Sequence, residues 1–332
     1  MNLPPLLRIL LWPLSQVYGI YVRCRYRLYA HGWLKPKRLN ATVISVGNLT
    51  VGGTGKTPMV LWLAEKFLTE GKRVAILSRG YHGSQGRSDE IELLRHRLDG
   101  KVLFGVGPDR FASGSRLLSE NVVDVFLLDD GFQHLQLARD LEIVMLDGSC
   151  KLKNEWLLPA GSLREPLAAC RRADILVVSR KFERPAIEAG DAHTFSIFYA
   201  QTRLLGFRRF GSDPDQKYLS EIGSGPFLAF CGIGNPGAFF DDLSRWHVPI
   251  AEKKSFSDHH KYSSRELEQL QLRSEACGAV GLVTTEKDAE NLLSTNLRLP
   301  IWIAVIDLVF TAESELLAAI GRKLAARQGA AA

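Results

Sequence analysis

Lysine and threonine placed directly behind crowded glycines can grip phosphate. Residues 47–57 read Gly-Asn-Leu-Thr-Val-Gly-Gly-Thr-Gly-Lys-Thr, after the β-type run at 42–46 and before the helix-compatible stretch 59–64. In such a loop, here Thr50, Val51, Gly52, Gly53, Thr54 and Gly55, backbone N–H groups converge on phosphate oxygens and the following helix N-terminus adds its dipole. Lys56 then reaches the outer phosphates, and the Thr57 hydroxyl can ligate magnesium. The strict pattern has glycine at position 50, where this chain has Thr50, but the core from Gly52 to Thr57 is intact. The segment implies a nucleoside triphosphate.

A triphosphate site needs an acidic partner, and Val125-Phe126-Leu127-Leu128-Asp129-Asp130 is an apolar run ending in two carboxylates. One of them at a strand end can hold magnesium while the metal bridges phosphate oxygens. Phosphoryl transfer also needs cations to meet charge on the transferred group. Arg110, in Gly107-Pro108-Asp109-Arg110, and Arg164, in Leu163-Arg164-Glu165, are candidates. Further along, Ser257-Asp258-His259-His260 puts a carboxylate beside two imidazoles in a loop before a helix. Adjacent histidines point apart, so an Asp/His-assisted proton transfer is a more economical use than metal ligation. Another acid pair, Asp89-Glu90, follows Ser78-Arg79-Gly80-Tyr81-His82-Gly83.

Apolar runs at 73–77, 102–106, 122–128, 141–146 and 173–178 read as buried strands, with helix-like stretches at 57–70 and 109–120 between them. Strands alternating with helices imply right-handed crossovers and a mostly parallel sheet with helices on both faces, the α/β arrangement of P-loop NTPases. Ligands on such sheets sit at the carboxyl ends of the strands. The pattern weakens over 186–225, which reads as a linker region. It resumes with strands near 227–231, 248–250, 280–284 and 301–306 and a closing helix at 312–327. The expected division is therefore a kinase-like core at 41–185 and a smaller α/β domain at 226–332 that contributes the Asp-His-His loop and packs on the core.

The 332 residues, 46% apolar and 23% charged, suit a globular chain of this organisation. Five scattered cysteines with no Cys-x-x-Cys pair read as buried free thiols of a reducing compartment. The formal charge of +6 is unevenly placed: eight Lys/Arg precede the first acidic residue, Glu65. Residues 1–40 combine Leu, Ile, Trp and Tyr with Arg8, Arg23, Arg25 and Arg27. Within 3–22, Arg8, Ser15, Gln16 and three prolines argue against a span of about 20 apolar residues. A basic amphipathic helix lying in the interface of an anionic membrane fits better, and no basic stripe with interleaved aromatics points to nucleic acid.

Taken in order, Gly-Gly-Thr-Gly-Lys-Thr-Pro, Ser78-Arg79-Gly80-Tyr81, Gly107-Pro108-Asp109-Arg110, Asp129-Asp130-Gly131-Phe132-Gln133-His134, Leu158-Pro159-Ala160-Gly161, Leu163-Arg164-Glu165, Asp258-His259-His260 and Thr284-Thr285-Glu286-Lys287-Asp288 resemble the tetraacyldisaccharide 4'-kinase family, the lipid A 4'-kinases. The resemblance implies an ATP- and Mg2+-dependent kinase on the cytoplasmic face of a Gram-negative inner membrane. Its substrate would be an acylated disaccharide lipid, a tetraacylated glucosamine disaccharide 1-phosphate, phosphorylated on the 4'-hydroxyl. Separately, the chain is expected to be monomeric. By motif position Asp89 and His259 form the dyad that activates the hydroxyl, with Asp258 beside it. Lys56 and Thr57 meet the phosphates and magnesium, with Asp129 or Asp130 and Glu165 near the metal. Arg110, Arg164, Tyr81, Glu90, Gln133 and His134 line the site. Around Asp89 the chain departs from the family: Ser88 stands where glycine is usual, and Glu92, Arg95 and His96 interrupt the apolar stretch that normally follows. Two other readings are a P-loop GTPase/ATPase switch or metallochaperone-type protein and a non-catalytic membrane module. The guanine-selecting Asn/Thr-Lys-x-Asp pattern is missed, because in Thr285-Glu286-Lys287-Asp288 the lysine comes one place late.

Overall fold

β-Branched and aliphatic residues without polar alternation cannot leave either face of a strand in water. The computed structural model, which describes residues 4–80, 88–149, 152, 155–180, 195–211, 217–293 and 298–329, accordingly buries these runs on both sides. Tyr81, His82 and Cys150 lie outside the described residues. Two compact units result. The first comprises Met1–Gly80, Leu98–Gln201 and Val309–Ala332, and the second Tyr81–Arg97 and Thr202–Leu308.

The first unit opens with α1 (Pro5–Ala30) and β1 (Thr42–Asn48), followed by α2 (Lys56–Thr69) and β2 (Val74–Ser78). After α3 (Asp89–Leu98), which lies in the second unit except for its last residue, come β3 (Leu103–Val106), α4 (Arg110–Glu120), β4 (Val125–Asp129), β5 (Leu141–Asp147) and β6 (Ile175–Ser179). Two strands carry the chain between units, β7 (Ser196–Arg209) and β11 (Ile301–Phe310). The second unit also holds β8 (Phe227–Cys231), α5 (Pro236–Arg245), β9 (Ile250–Ser255), α6 (Ser264–Ala276), β10 (Gly281–Thr285) and α7 (Glu286–Ala289), while α8 (Glu313–Gly329) returns to the first. Strand order is β3-β2-β4-β1-β5-β6-β7 in the first unit and β7-β11-β10-β8-β9 in the second. Neighbours from β3 through to β7 pair in parallel, as do β11, β10, β8 and β9.

β1 is central in its unit, with β4 and β5 on its two sides, so the loop after it leaves from the middle of the sheet's carboxyl edge. α2 packs Met59, Val60, Leu63 and Ala64 onto that sheet at 1% exposure or less, which fixes the helix start beneath the loop. In the second unit Phe227, Ala229, Cys231, Leu243 and Val283 form one core cluster, and Leu228, Phe230, Tyr262 and Leu267 another.

The boundaries of the units differ from those read off the sequence. The stretch expected as a linker at 186–225 contains the 14-residue β7, whose mixed burial hides its period. Residues 88–97, placed by sequence order in the kinase core, belong to the second unit. The closing helix belongs to the first. Contacts made through parallel crossovers, rather than adjacency along the chain, decide such membership. The basic N-terminal segment is a 26-residue helix with Pro4 at its N-cap, Pro5 in its first turn and Pro13 inside. No described helix is long and apolar enough to cross a membrane. Of the cysteines, Cys170 and Cys231 are buried free thiols as expected, whereas Cys24 is exposed on α1.

Candidate functional site

In the first unit, the glycine-rich loop expected to bind phosphate is held at both ends and along its length. Thr50 bridges to Leu163, and Val51 N–H donates to Ser162 O at 2.8 Å. Asn48 Nδ2 donates to Thr54 Oγ1 (3.1 Å), and Ser179 Oγ to Thr54 O (3.2 Å). Gly55 caps α2 in the left-handed region at φ 90°, a conformation that side chains resist. Lys56 and Thr57 follow as its first helical residues, so the free N–H groups of this helix end face the loop.

β4 ends in Asp129, 2% exposed, and Asp130 follows at φ 49°. Asp130 is flanked by cations: Lys56 Nζ lies 3.6 Å from Oδ1, and Arg164 Nη1 lies 2.9 and 2.7 Å from its two oxygens. Burial would push this carboxyl up, but Lys56 and Arg164 hold it below the ordinary value. Arg110, buried in the first turn of α4, places Nη1 3.4 Å from His134 Nδ1. Burial, with Arg110 and Arg139 nearby, lowers His134 to about 4, so its imidazole is neutral near pH 7. Among the described residues Arg110 Nε, Gln133 Oε1 and His134 Nε2 are buried without a hydrogen-bond partner, the condition expected of groups built to meet a ligand. Gln133 Nε2 donates to Asn48 O (3.0 Å), tying this turn to the end of β1. Glu165, expected near the metal, is instead turned to Arg172, 2.8 Å away, with both side chains largely buried.

α1 reaches these same loops with its polar side chains. Tyr18 Oη donates to Arg164 O (2.8 Å), Arg25 to Gln133 O (2.9 Å), Arg8 to Ala160 O (3.1 Å) and Ser15 to Leu157 O (2.8 Å). Only Ser15 and Gly19 of this helix are buried, while Leu6, Ile9, Leu10, Leu14, Val17 and Ile20 are exposed. The helix is thus inside out by the standard of a water-soluble surface helix.

The second unit carries the proton-transfer candidates. Asp89 starts α3, where a carboxylate suits the positive end of the helix, and is 8% exposed. His259 Nδ1 lies 3.0 and 2.9 Å from its two oxygens, and a carboxylate can only accept, so Nδ1–H donates. Burial alone would raise Asp89, yet the His259 bond and the Lys287 ammonium hold it below its ordinary value, and the same bond raises His259. His259 sits at φ 57°, a strained backbone of the kind found at active sites, with its N–H on Gly232 O at 3.0 Å. A side chain at Gly232 would press on Ser257 O at 2.8 Å, so glycine lets the 257–260 loop approach β8. Buried Asp288 locks this arrangement by accepting from Gly232 N–H, Tyr262 Oη and Thr285 Oγ1 at 2.7, 2.7 and 2.6 Å.

Asp89, Glu90, Asp258 and His259, expected from scattered motifs, are thus gathered in one unit, and Lys56, Arg110, Asp129, Asp130, Gln133, His134 and Arg164 in the other. Three contributors escaped the sequence reading: Gly232, Asn291, which donates to Asp89 at 3.3 Å, and Lys287. Lys287 stood in the Thr-Thr-Glu-Lys-Asp string, whereas Asn291 left no signal.

The family model for tetraacyldisaccharide-1-P 4'-kinase matches residues 7–325. The tetraacyldisaccharide 4'-kinase of Geobacter metallireducens is 40% identical over 317 residues, covering 90% of this chain and 92% of that protein. That of Geobacter sulfurreducens is 38% identical, covering 89% and 87%. Among solved structures, LpxK from Aquifex aeolicus in complex with ATP superposes with a TM-score of 0.75 at 33% identity, covering 96% of this chain and 99% of that one. The chain belongs to the tetraacyldisaccharide 4'-kinase family.

Proposed function

We propose that this chain transfers the γ-phosphoryl group of ATP to the 4'-hydroxyl of a tetraacylated glucosamine disaccharide 1-phosphate, a step of lipid A biosynthesis. The observation that carries the reading is the Asp89–His259 pair, a buried carboxylate bonded through both oxygens to a half-buried imidazole. A nucleotide switch has no use for such a base, and the family membership likewise disfavours a GTPase or metallochaperone.

The loop residues and the start of α2 receive the triphosphate. Lys56, Arg110 and Arg164 supply positive charge against the transferred group, which passes through a loose transition state with charge on its oxygens. The pair takes the hydroxyl proton as the 4'-oxygen bonds to phosphorus and the bond to the ADP oxygen breaks. The proton belongs to the pair rather than to either member. Magnesium, which would neutralise phosphate charge, suits the hard oxygens of the Thr57 hydroxyl and Asp129; Asp130 already faces Lys56 and Arg164. Among the described residues no group of three or more His, Cys, Asp or Glu forms a metal cage, consistent with an ion held largely by substrate phosphates.

The acceptor is a lipid, and α1 with its outward leucines and isoleucines suits insertion into the interface of the inner membrane from the cytoplasmic side, with the exposed Arg23 and Arg27 near anionic headgroups. The test is phosphoryl transfer from radiolabelled ATP to the disaccharide 1-phosphate in mixed micelles. Acceptor-dependent label in the lipid supports the assignment. Nucleotide hydrolysis indifferent to the acceptor, or a preference for GTP, refutes it.

A further inference from the structure

Lys287, on α7, lies against the Asp89–His259 pair. Its Nζ lies 3.3 Å from Asp258 Oδ1, 3.6 Å from Glu90 Oε1, 3.9 Å from Asp89 Oδ2 and 3.4 Å from His259 Nε2. An ammonium can only donate, so its approach to Nε2 matches an imidazole whose Nδ1 carries the proton and whose Nε2 lone pair is open. We propose that Lys287 is a positioning residue that opposes protonation of His259 and keeps its Nε2 proton-accepting beside the Asp89 and Asp258 carboxylates. The inference rests on the Asp89–His259 pair acting as the base.

The charge balance shows why such a group is needed. Asp89 faces His259 from α3, and Asp258 from its own loop, where Oδ2 lies 3.8 Å from Nε2; Glu90, also on α3, is turned to Lys287. Left alone, these two negative charges would favour the imidazolium and disable the pair near neutral pH. Neighbouring acids point elsewhere: Glu286 is turned to Arg97 (3.0 Å), Glu290 to His96 (2.8 Å), and Asp288 is consumed by Tyr262, Thr285 and Gly232. His260 is turned to Glu266 (3.0 Å). Among the described residues Lys287 is the cation that faces Asp89, Glu90 and Asp258 together. Burial works against its charge, but Glu90, Asp89 and Asp258 keep its pKa above the ordinary value, so it remains an ammonium across the working range.

The experiment is the pH dependence of kcat/KM for phosphoryl transfer from ATP to the disaccharide 1-phosphate, in wild type, Lys287→Met, Lys287→Arg and Asp258→Asn. Activity rises with pH as the base deprotonates. Removing a positive charge about 4 Å away should move that acidic limb upward by about one pH unit. Lys287→Met is therefore expected to lose about tenfold at acidic pH and to recover as pH rises. Lys287→Arg should return the limb toward wild type, and Asp258→Asn should move it down. A deficit for Lys287→Met that is the same at every pH, or a limb that Lys287→Arg leaves where Met puts it, overturns the proposal. Should Lys287→Met fail to fold by circular dichroism, the Arg and Asp258→Asn limbs decide alone, and an unmoved limb in Asp258→Asn overturns it. His259→Ala separates the two levels of the argument: a full acidic limb in that variant refutes the base itself, independently of what Lys287 does.

Discussion

Replacing Asp89 with asparagine removes one negative charge while keeping the side chain's shape, and the structure says what should follow. The carboxylate receives His259 Nδ1–H through both oxygens and Asn291 Nδ2 through one. An amide can accept from Nδ1 at one oxygen, so His259 stays in place, but the charge that stabilises a proton on the pair is gone. Positioned general bases contribute about 10²–10⁴ in rate, which sets the expected fall in kcat at roughly 3–5 kcal/mol of barrier. The described residues proposed to cradle the nucleotide lie in the other unit, so the Kd for ATP, read with a fluorescent analogue, should change less than twofold. The assay is kcat with saturating ATP and acylated disaccharide at the pH optimum. A kcat within threefold of wild type would refute the reasoning.

The same substitution has a signature in stability. Asp89 is lowered in the folded state, so its contribution is present above the ordinary 3.8 and fades as pH falls through the folded value. His259 is raised, so its contribution is complete below 6.5 and fades as pH rises through its folded value. The gap in unfolding free energy between wild type and Asp89→Asn should therefore be widest between those two values and narrow on either side. A gap that is flat from pH 4 to 9 in chemical denaturation would mean the pair is not ionic.

Three further outcomes are expected. Gly55→Ala meets only Met145 Cε at 3.6 Å, so its cost is the left-handed backbone, about 1–2 kcal/mol, and it should appear as a melting temperature lowered by a few degrees together with weakened ATP binding in calorimetry. Arg172→Leu leaves the Glu165 carboxylate, 6% exposed, without its cation, and also removes stacking on Phe132; a loss of about 3–5 kcal/mol should be seen in urea unfolding. Leu10→Glu, at a side chain 73% exposed, should reduce cosedimentation with anionic vesicles severalfold while ATP affinity stays as it was; unchanged cosedimentation would argue against α1 as the membrane element.

Local physics made much of this legible in the sequence. Glycine spacing with Lys56-Thr57 specifies the loop, continuous apolar runs specify buried strands, and the absence of acids before Glu65 marks α1 as distinct. Each depends on neighbours within a few residues, which is the range over which backbone geometry and periodicity act. Asp89 was harder to place, because its surroundings depart from the family pattern and its role comes from a residue 170 positions away. What only the tertiary structure decided was of that long-range kind: that Asp89 joins the unit of His259, that Arg172 occupies Glu165, that α1 turns its leucines outward, and that Lys287 faces three carboxylates and an imidazole. Charge interactions at 3–4 Å are set by which strands become neighbours in a parallel sheet, and crossover connections place those neighbours far apart along the chain.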